Sequence, residues 1–380
     1  MRGPPRSSWR SFSPKNVLLA NHVTNEEKTT MKHFKAISVA LILALLVSVA
    51  NVWAGNDSKR GAAGGVEVLL PVGAGGQALG GANLANVAGV EAIHWNPAGV
   101  GRMNGSGEAM FSHTTYIADI GLSYGAVAIN TQGFGALALS VKTIDFGAIA
   151  ETNEDYPEGT GSTFSPVFSV VGLTYSQSLT DRISVGATVK VISESIARTS
   201  ATGFGFDAGV QYAFSQDSPL SGVKFAVALK NLGPTMKYDG ADLERSVEVP
   251  NSAANAPTRT LRFSSQAFEL PATLDLGISY DLKLMDVNRF TFSTIFQNSN
   301  FGSDEYRFGA EYAFGEQIFL RGGYMYVPKS ANDEVATIFG LTMGAGVNLD
   351  LGGMQVRVDY AYRDTEFFDG TNTVSVQLAF

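Results

Sequence analysis

The sequence predicts an all-β protein, a transmembrane antiparallel β-barrel of about 14 strands with an N-terminal hatch in its lumen. Three observations predict this fold. The chain has 42 glycines and is only 16% charged, against a usual glycine share of about 7%. From residue 107 onward, apolar and polar residues alternate with the period of two that is typical of β-strands. The chain ends on such an alternating segment with an aromatic residue, Phe380.

The alternating segments define the strands. The segment from Phe204 to Phe214 places Phe, Ala, Val and Tyr on one face and Gly, Asp and Gln on the other. Strands are expected at 107–116, 120–129, 133–142, 166–177, 183–193, 201–214, 222–231, 270–281, 288–298, 305–314, 318–327, 336–349, 354–363 and 372–380. A soluble β-sandwich also alternates, but strands of about 9–11 residues suit a bilayer. Tyr and Phe near strand ends favour interfacial girdles.

The lengths of the connections predict an orientation. The turns at 131–132 and 315–317 are short, whereas the connections at 143–165 and 232–269 are long. Barrels of this class place short turns in the periplasm and long loops outside the cell. This arrangement predicts that both ends of the mature chain lie in the periplasm.

The N-terminal residues predict export. Residues 31–54 combine the basic start Met31–Lys35, an apolar run of about 15 residues and a small-residue end at Ala54, which are the features of a secretory signal peptide. Residues 1–30 are polar and irregular, so we interpret them as an over-extended start or a leader, and the true start is Met1 or Met31. The expected location is the cell outer membrane, after Sec-type export and cleavage near Ala54.

The segment 55–106 lacks the alternation and is rich in Gly and Ala. Because it lies between the signal peptide and the barrel at 107–380, we expect it to pack in the barrel mouth as a hatch, with a short helix at 81–88. A residue before proline is restricted to extended backbone, and Asn forms side-chain bonds in turns. The pair Asn96-Pro97 therefore predicts a fixed turn, either an ordinary one or one that braces the hatch.

A motif in this segment carries a family resemblance. The hatch motif consists of Gly80, Gly81, Trp95, Asn96, Pro97, Ala98 and Gly99. With this motif and the later run Leu229–Gly233, the mature chain resembles the PorV/PorQ family of outer-membrane proteins, which is similar to the FadL-like β-barrel superfamily. The resemblance implies an accessory of type IX protein secretion and surface attachment, with a secretion translocon and exported proteins as partners. The alternative that it implies is a FadL-like passive channel for hydrophobic small molecules.

Charged residues on the polar strand faces predict the contents of the lumen. The expected lumen-facing charges are Lys190, Asp207, Lys224, Lys230, Asp275, Arg307, Glu311, Arg321, Arg357, Asp359 and Arg363. They could line a polar conduit or clamp the hatch as an ion network, and their mixed signs favour the network because buried charges need partners. On the last strand, Val374, Val376, Leu378 and Phe380 resemble the signal that the barrel-assembly machinery reads. This machinery and outer-membrane lipid are the expected partners.

Other chemistries are disfavoured. The net charge of −8 argues against nucleic acid as a partner, and the absence of Cys excludes thiolate sites and disulfides. The run Gly73–Ala78 has the pattern of a dinucleotide-binding turn, but no βαβ unit follows it. Ser112 and His113 are adjacent on one strand, so they point to opposite faces and cannot pair. The acidic run 151–159 is interpreted as a solvated loop rather than a Ca²⁺ site. No catalytic, cofactor-binding or metal residue is predicted, and the protein is not expected to be an enzyme.

Overall fold

The computed structural model describes residues 59, 61–131, 133–248, 257–284, 287–329 and 337–380. The leader and signal peptide predicted at 1–54 lie outside these residues. The elements below belong to one compact unit, residues 54–214 and 222–380. A second unit combines 1–53 with the turn Ser215–Ser221, in which the Ser218 N–H donates to the Ser215 carbonyl at 3.0 Å.

No helix of the described residues is both long enough and apolar enough to cross a membrane.

Fourteen long strands of the described residues form one antiparallel sheet. They are β1 Gly107–Thr115, β2 Gly121–Asn130, β3 Ala136–Asp145, β4 Val167–Ser178, β5 Ile183–Ile196, β6 Thr199–Ala213, β7 Val223–Leu232, β8 Thr273–Leu284, β9 Asn288–Ser299, β10 Glu305–Phe314, β11 Ile318–Tyr326, β12 Phe339–Asp350, β13 Gln355–Thr365 and β14 Thr371–Ala379. Each strand pairs with its neighbours along the chain, and β1 pairs with β14 from Glu108↔Ala379 to Thr115↔Asn372. This last pairing closes the ring and confirms the predicted barrel.

The alternation in the sequence separates two faces of this ring. On β9, Phe292 is 53% exposed on the outside, whereas its neighbours Thr291 and Ser293 are buried on the inside. Leu173, Phe204 and Met343 are likewise more than half exposed on the outer face. An apolar outer surface of this extent is unfavourable in water. In lipid it is favourable, and the closed ring pairs the backbone polar groups without help from water.

The lumen contains residues 61–106, which we call the hatch segment. It consists of α1 Ala74–Ala78, α2 Ala92–Trp95 and 3-10 turns at Val66–Leu69, Gly89–Glu91 and Pro97–Arg102. A hydrophobic core joins hatch residues such as Val90 and Ile93 to the inner faces of β1, β2 and β3. The prediction of a helix at 81–88 was wrong. Gly80 and Gly81 have φ of 66° and 80°, a left-handed conformation that ends a helix rather than starting one.

The two ends of the barrel differ in their connections. At one end, here the turn end, short turns follow β2, β4, β10 and β12, and at the other, the loop end, the connections at 146–166 and 233–272 are long. The C-terminal residue lies at the turn end, where the Phe380 N–H donates to the Gly107 carbonyl. The other end of the mature chain, expected near Gly55, lies outside the described residues, so the expectation that both ends lie at the turn end stays a prediction. Lys59 is 3.7 Å from the Glu269 carboxylate and 5.0 Å from the Phe301 ring centroid, both at the loop end, because the hatch segment runs through the lumen.

The long connection after β7 completes the wall of the barrel. The β6–β7 ladder ends at Phe206↔Leu232, with a register shift beside Asp207, whereas β6 continues to Thr199. Beyond that point Met236 packs over Gly203 of β6, and Met236 pairs with Phe268 in an isolated bridge. The ladder of β6 resumes where Ser200 and Thr199 pair with Asp239 and Gly240. Between these two pairings the wall is closed by loop side chains. Further along the same connection, Glu244–Val247 and Arg259–Arg262 form a separate hairpin.

Candidate functional site

Asn96 of the hatch motif ties the hatch segment to the barrel wall. Its side chain is fully buried. Its Nδ2 donates to the carbonyls of Leu84 and Val210 at 3.3 Å each, and its Oδ1 accepts the Ala98 N–H at 3.1 Å. The backbone of Asn96 is extended, as a residue before proline requires. Pro97 then starts a 3-10 turn, where its missing N–H leaves no bond unmade.

Glycines of β5 and β6 form the seat of this turn. A Cβ added to Gly186 would lie 2.4 Å from the Pro97 carbonyl carbon, and one added to Gly209 would lie 2.0 Å from Asn96 Oδ1. Such distances are far shorter than van der Waals contact. Glycine in these strands therefore permits the close approach of a second backbone.

On the opposite wall of the barrel, a second group of glycines contacts α1 and the residue after it, Leu79. A Cβ on Gly323 of β11 would lie 2.1 Å from the Leu79 carbonyl carbon. Gly309 of β10 also contacts Leu79, and Gly344 of β12 contacts Ala78. We call these two groups the glycine seats, one at Gly186 and Gly209 of β5–β6 and one at Gly309, Gly323 and Gly344 of β10–β12. The hatch segment is therefore held at two places on the wall and spans the lumen between them.

The other residues of the hatch motif lie between these seats. The Trp95 ring covers Gly76, whose Cβ would lie 2.4 Å from Trp95 Nε1. Gly99 packs against the Val87 carbonyl, and the Ala98 carbonyl lies 3.0 Å from Ser176 Oγ of β4. Gln211 of β6, which sequence reasoning missed, donates to the carbonyls of Leu84 and Val87 at 2.9 Å each. Gln211 lies on the polar face of β6, and this position in the alternation could have identified it as a lumen-facing residue.

Cavities lie on both sides of the hatch segment. The loop-end cavity has a volume of about 380 Å³ and the turn-end cavity about 390 Å³. At one point the two cavities are separated by α1 and the turn after it. Gly75 faces the turn-end cavity there, whereas Gln77 and Gly80 face the loop-end cavity.

Polar contacts hold α1 in place. The Gly76 N–H donates to Glu91 Oε1 at 2.8 Å, and Thr342 Oγ1 donates to the Ala78 carbonyl at 3.0 Å. The Ala74 N–H donates to Ser375 Oγ at 3.2 Å. A helix of five residues has little stability of its own, so these contacts determine its position.

The loop-end cavity has an apolar and a charged side. Trp95, Tyr116, Phe301 and Phe339 supply aromatic surface. Lys190, Lys230, Arg307 and Arg363 supply positive charge. Such a mixture suits a ligand that is mainly apolar and carries a few polar atoms.

The predicted lumen charges all lie on inward faces, and most form ion pairs. The N···O distances are 2.7 Å for Lys190–Asp207, 2.7 Å for Lys230–Asp275, 2.6 Å for Arg321–Glu311, 2.6 Å for Arg321–Asp359 and 2.8 Å for Arg357–Asp359. Lys224 pairs with Asp281 at 2.8 Å and Arg307 with Glu305 at 2.6 Å. Sequence reasoning missed Asp281 and Glu305, although both share the polar parity of their strands.

Arg363 of β13 differs from the other predicted cations. It forms no ion pair with a carboxylate of the described residues, and its Nε and Nη2 are buried without a hydrogen-bond partner among them. Its Cζ lies 3.7 Å from the Phe339 ring centroid and 5.8 Å from that of Tyr116. Burial raises the pKa of Tyr116, against the opposing effect of Arg363. The Tyr116 hydroxyl therefore stays neutral and does not balance the guanidinium charge.

A buried carboxyl lies where the hatch segment meets β5. Both oxygens of Glu67 lack a hydrogen-bond partner among the described residues. Burial, with the Glu194 carboxylate beside it, raises the pKa of Glu67 to about 8. Lys142 of β3, also missed by sequence reasoning, donates to the carbonyls of Glu67 at 3.2 Å and Leu70 at 2.7 Å.

The residues predicted as an assembly signal lie on β14 and after it. Val374, Val376 and Phe380 are exposed on the outer face, with Phe380 at 59%. Leu378 shares their parity on the strand and is half-buried. They are thus accessible to lipid and to a partner protein.

No known protein family and no curated protein match this sequence, so the PorV/PorQ family stays a resemblance. Similar solved structures include the Ralstonia pickettii toluene transporter TbuX, with 14% identity over 81% of this chain and 98% of that chain and a TM-score of 0.49. The Pseudomonas putida toluene transporter TodX has 11% identity over 80% and 96% and a TM-score of 0.49. A Pseudomonas aeruginosa FadL homologue has 10% identity over 81% and 98% and a TM-score of 0.49.

Proposed function

We propose that this chain is an outer-membrane barrel that takes up small, mainly apolar molecules through its loop-end cavity. The observation that carries the proposal is this aromatic-lined cavity of about 380 Å³, closed on the turn side by the hatch segment. Its volume is within the range of about 300–1,000 Å³ that is usual for small-molecule sites. The apolar outer face of the closed ring supports a location in lipid.

The route that we propose leaves the cavity sideways, at the β6–β7 wall. Asn231, the residue before Leu232 at which the β7 side of the ladder ends, lines the cavity together with Val68. Beyond the ladder, Val68 packs in an apolar cluster with Met236 and Leu270. In the gap between this ladder and the pairing of Ser200 with Asp239, side chains can move apart without breaking ladder hydrogen bonds, and we propose that an apolar molecule passes there from the cavity to the lipid.

A cross-link across this wall tests the route. Since the chain has no Cys, Gly203→Cys with Met236→Cys introduces a single pair at positions in contact, where Gly203 Cβ would lie 2.3 Å from Met236 Cγ. A matched control pair, Thr294→Cys with Phe308→Cys, joins facing positions of β9 and β10. We expect oxidation to abolish, for the first pair only, the uptake of labelled toluene by whole cells in excess of cells without the protein, with recovery on reduction.

Two outcomes would contradict different parts of this proposal. Uptake by cells with the wild-type protein no faster than by cells without it would refute the function. Uptake that persists through the oxidised 203–236 pair would leave a channel but refute the lateral route.

A second candidate function is favoured by the hairpin in the long connection after β7. Leu261 and Phe263, in and just after the strand Arg259–Arg262, are 54% and 57% exposed at the loop end. Exposed apolar residues on a loop are suited to a protein partner, as an accessory of protein secretion would need. Deleting residues 244–262 should then abolish surface display of secreted proteins and leave toluene uptake unchanged. Normal display after the deletion would refute this candidate.

A further inference from the structure

The loop-end cavity contains a positive charge that no carboxylate of the described residues balances. The other buried or half-buried cations on the inner faces of the described strands bind carboxylates, as in Lys230–Asp275, or main-chain carbonyls, as in Lys142–Leu70. Arg363 has neither kind of partner among the described residues. An unpaired charge inside a barrel is unfavourable, and an anion that binds there relieves this cost.

The geometry around Arg363 suits a flat anionic group. The Phe339 ring lies 3.7 Å from Cζ, and the Tyr116 ring also faces the guanidinium. Two of its nitrogen atoms, Nε and Nη2, lack an acceptor. These two atoms form one edge of the guanidinium, and a carboxylate can accept from both at once in a bidentate pair.

We propose that the cavity binds small organic acids, with the carboxylate on Arg363 and an apolar body of about ring size against the aromatic walls. This inference rests on the proposed function and names the substrate class of the same site. The aromatic walls include Trp95 and Phe301, which line the same cavity as Arg363. The cavity volume of about 380 Å³ limits the apolar body to a small one.

A pair of isosteric probes tests the proposal. Binding of 4-methylbenzoate and of neutral 4-methylbenzamide is measured by calorimetry at pH 7, with the full barrel in a non-ionic maltoside detergent. We expect the wild type to bind the acid roughly tenfold to a hundredfold more tightly than the amide, as a charged hydrogen-bonded pair implies. Arg363→Met should remove this preference, and Arg363→Lys should retain part of it.

The control variant is Arg357→Met. Arg357 lies on the same face of β13 but lines the turn-end cavity, so this variant should keep the full preference for the acid. A difference in gel migration between unheated and heated samples confirms that each variant is folded. Equal affinity of the wild type for acid and amide, or a preference retained in Arg363→Met, would overturn the inference alone. If the wild type binds neither probe, the proposed function fails with it.

Discussion

Replacing Asn96 with Ala tests whether the hatch segment is a fixed brace. The substitution removes three hydrogen bonds, to the Leu84 and Val210 carbonyls and from the Ala98 N–H. The bond to Val210 joins the hatch segment to β6, and the other two fix the turn of the hatch segment itself. At a net value of about 1 kcal/mol for each bond, the attached turn should be destabilised by about 3 kcal/mol in all. Because about 1.4 kcal/mol corresponds to a tenfold change, the local opening constant should rise roughly a hundredfold.

Hydrogen exchange followed by mass spectrometry measures this change directly. Amides of residues 84–102 should exchange roughly a hundredfold faster in Asn96→Ala, whereas amides of β10 and β11 report on the barrel and should keep their rates. Asn104→Ala is the matched control, since Asn104 lies in the same segment with an exposed side chain. Exchange of 84–102 within about threefold of the wild-type rate would refute the brace, because it would mean that these bonds do not limit local opening.

Three further perturbations follow from the same geometry. Gly323→Val places a side chain where the backbone of the hatch segment now lies, so α1 should be displaced and ion conductance across planar bilayers should rise; unchanged conductance would count against α1 as the separator. Arg321→Met strips a buried cation from two carboxylates, and urea unfolding from micelles should show a loss of about 3 kcal/mol. Burial and Glu194 raise the pKa of Glu67 to about 8. Since the folded state then keeps this proton to a higher pH than the unfolded chain, attachment of 61–70 should weaken as pH rises from about 4.5 to 8 and change little above that. Exchange of 61–70 should show this trend, and Glu67→Gln should remove it.

The sequence predicted the barrel well because its period is local information. Alternation such as that around Phe292 determines which side chains face outward, and hydrogen bonding in lipid then requires closure. The register and the β1–β14 pairing follow from these constraints. Turn chemistry was harder to interpret. A helix was predicted over 81–88, but Gly80 and Gly81 have a left-handed backbone, which ends a helix.

The site could be predicted only in part, because its contacts join distant parts of the chain. Lys230 and Asp275 were both assigned to the lumen because they lie on the polar faces of their strands. Their pairing depends on the strand register, in which Lys230 lies opposite Thr273 and diagonal to Asp275. The isolation of Arg363 can be seen only when every neighbouring strand is in place. The path of the hatch segment was also unpredictable, since no local pattern near Lys59 indicates the loop end.

The structure limits how a molecule can cross this barrel. Wholesale release of the hatch segment would break the Asn96 and Gln211 bonds to the wall and empty both glycine seats. Two smaller movements leave the Asn96 and Gln211 bonds and the seat at β5–β6 intact. One is a shift of α1, a helix of five residues held mainly by Glu91 and Thr342. The other is the parting of Met236 and its apolar neighbours at the β6–β7 wall. The first connects the two cavities and must admit water and ions, because the turn-end cavity is lined by charges such as Arg357. The second connects the cavity only to lipid, so it favours apolar molecules and keeps the lumen closed to ions. Uptake of an apolar molecule without ion conductance would therefore assign the passage to the wall, whereas coupled uptake and conductance would assign it to α1.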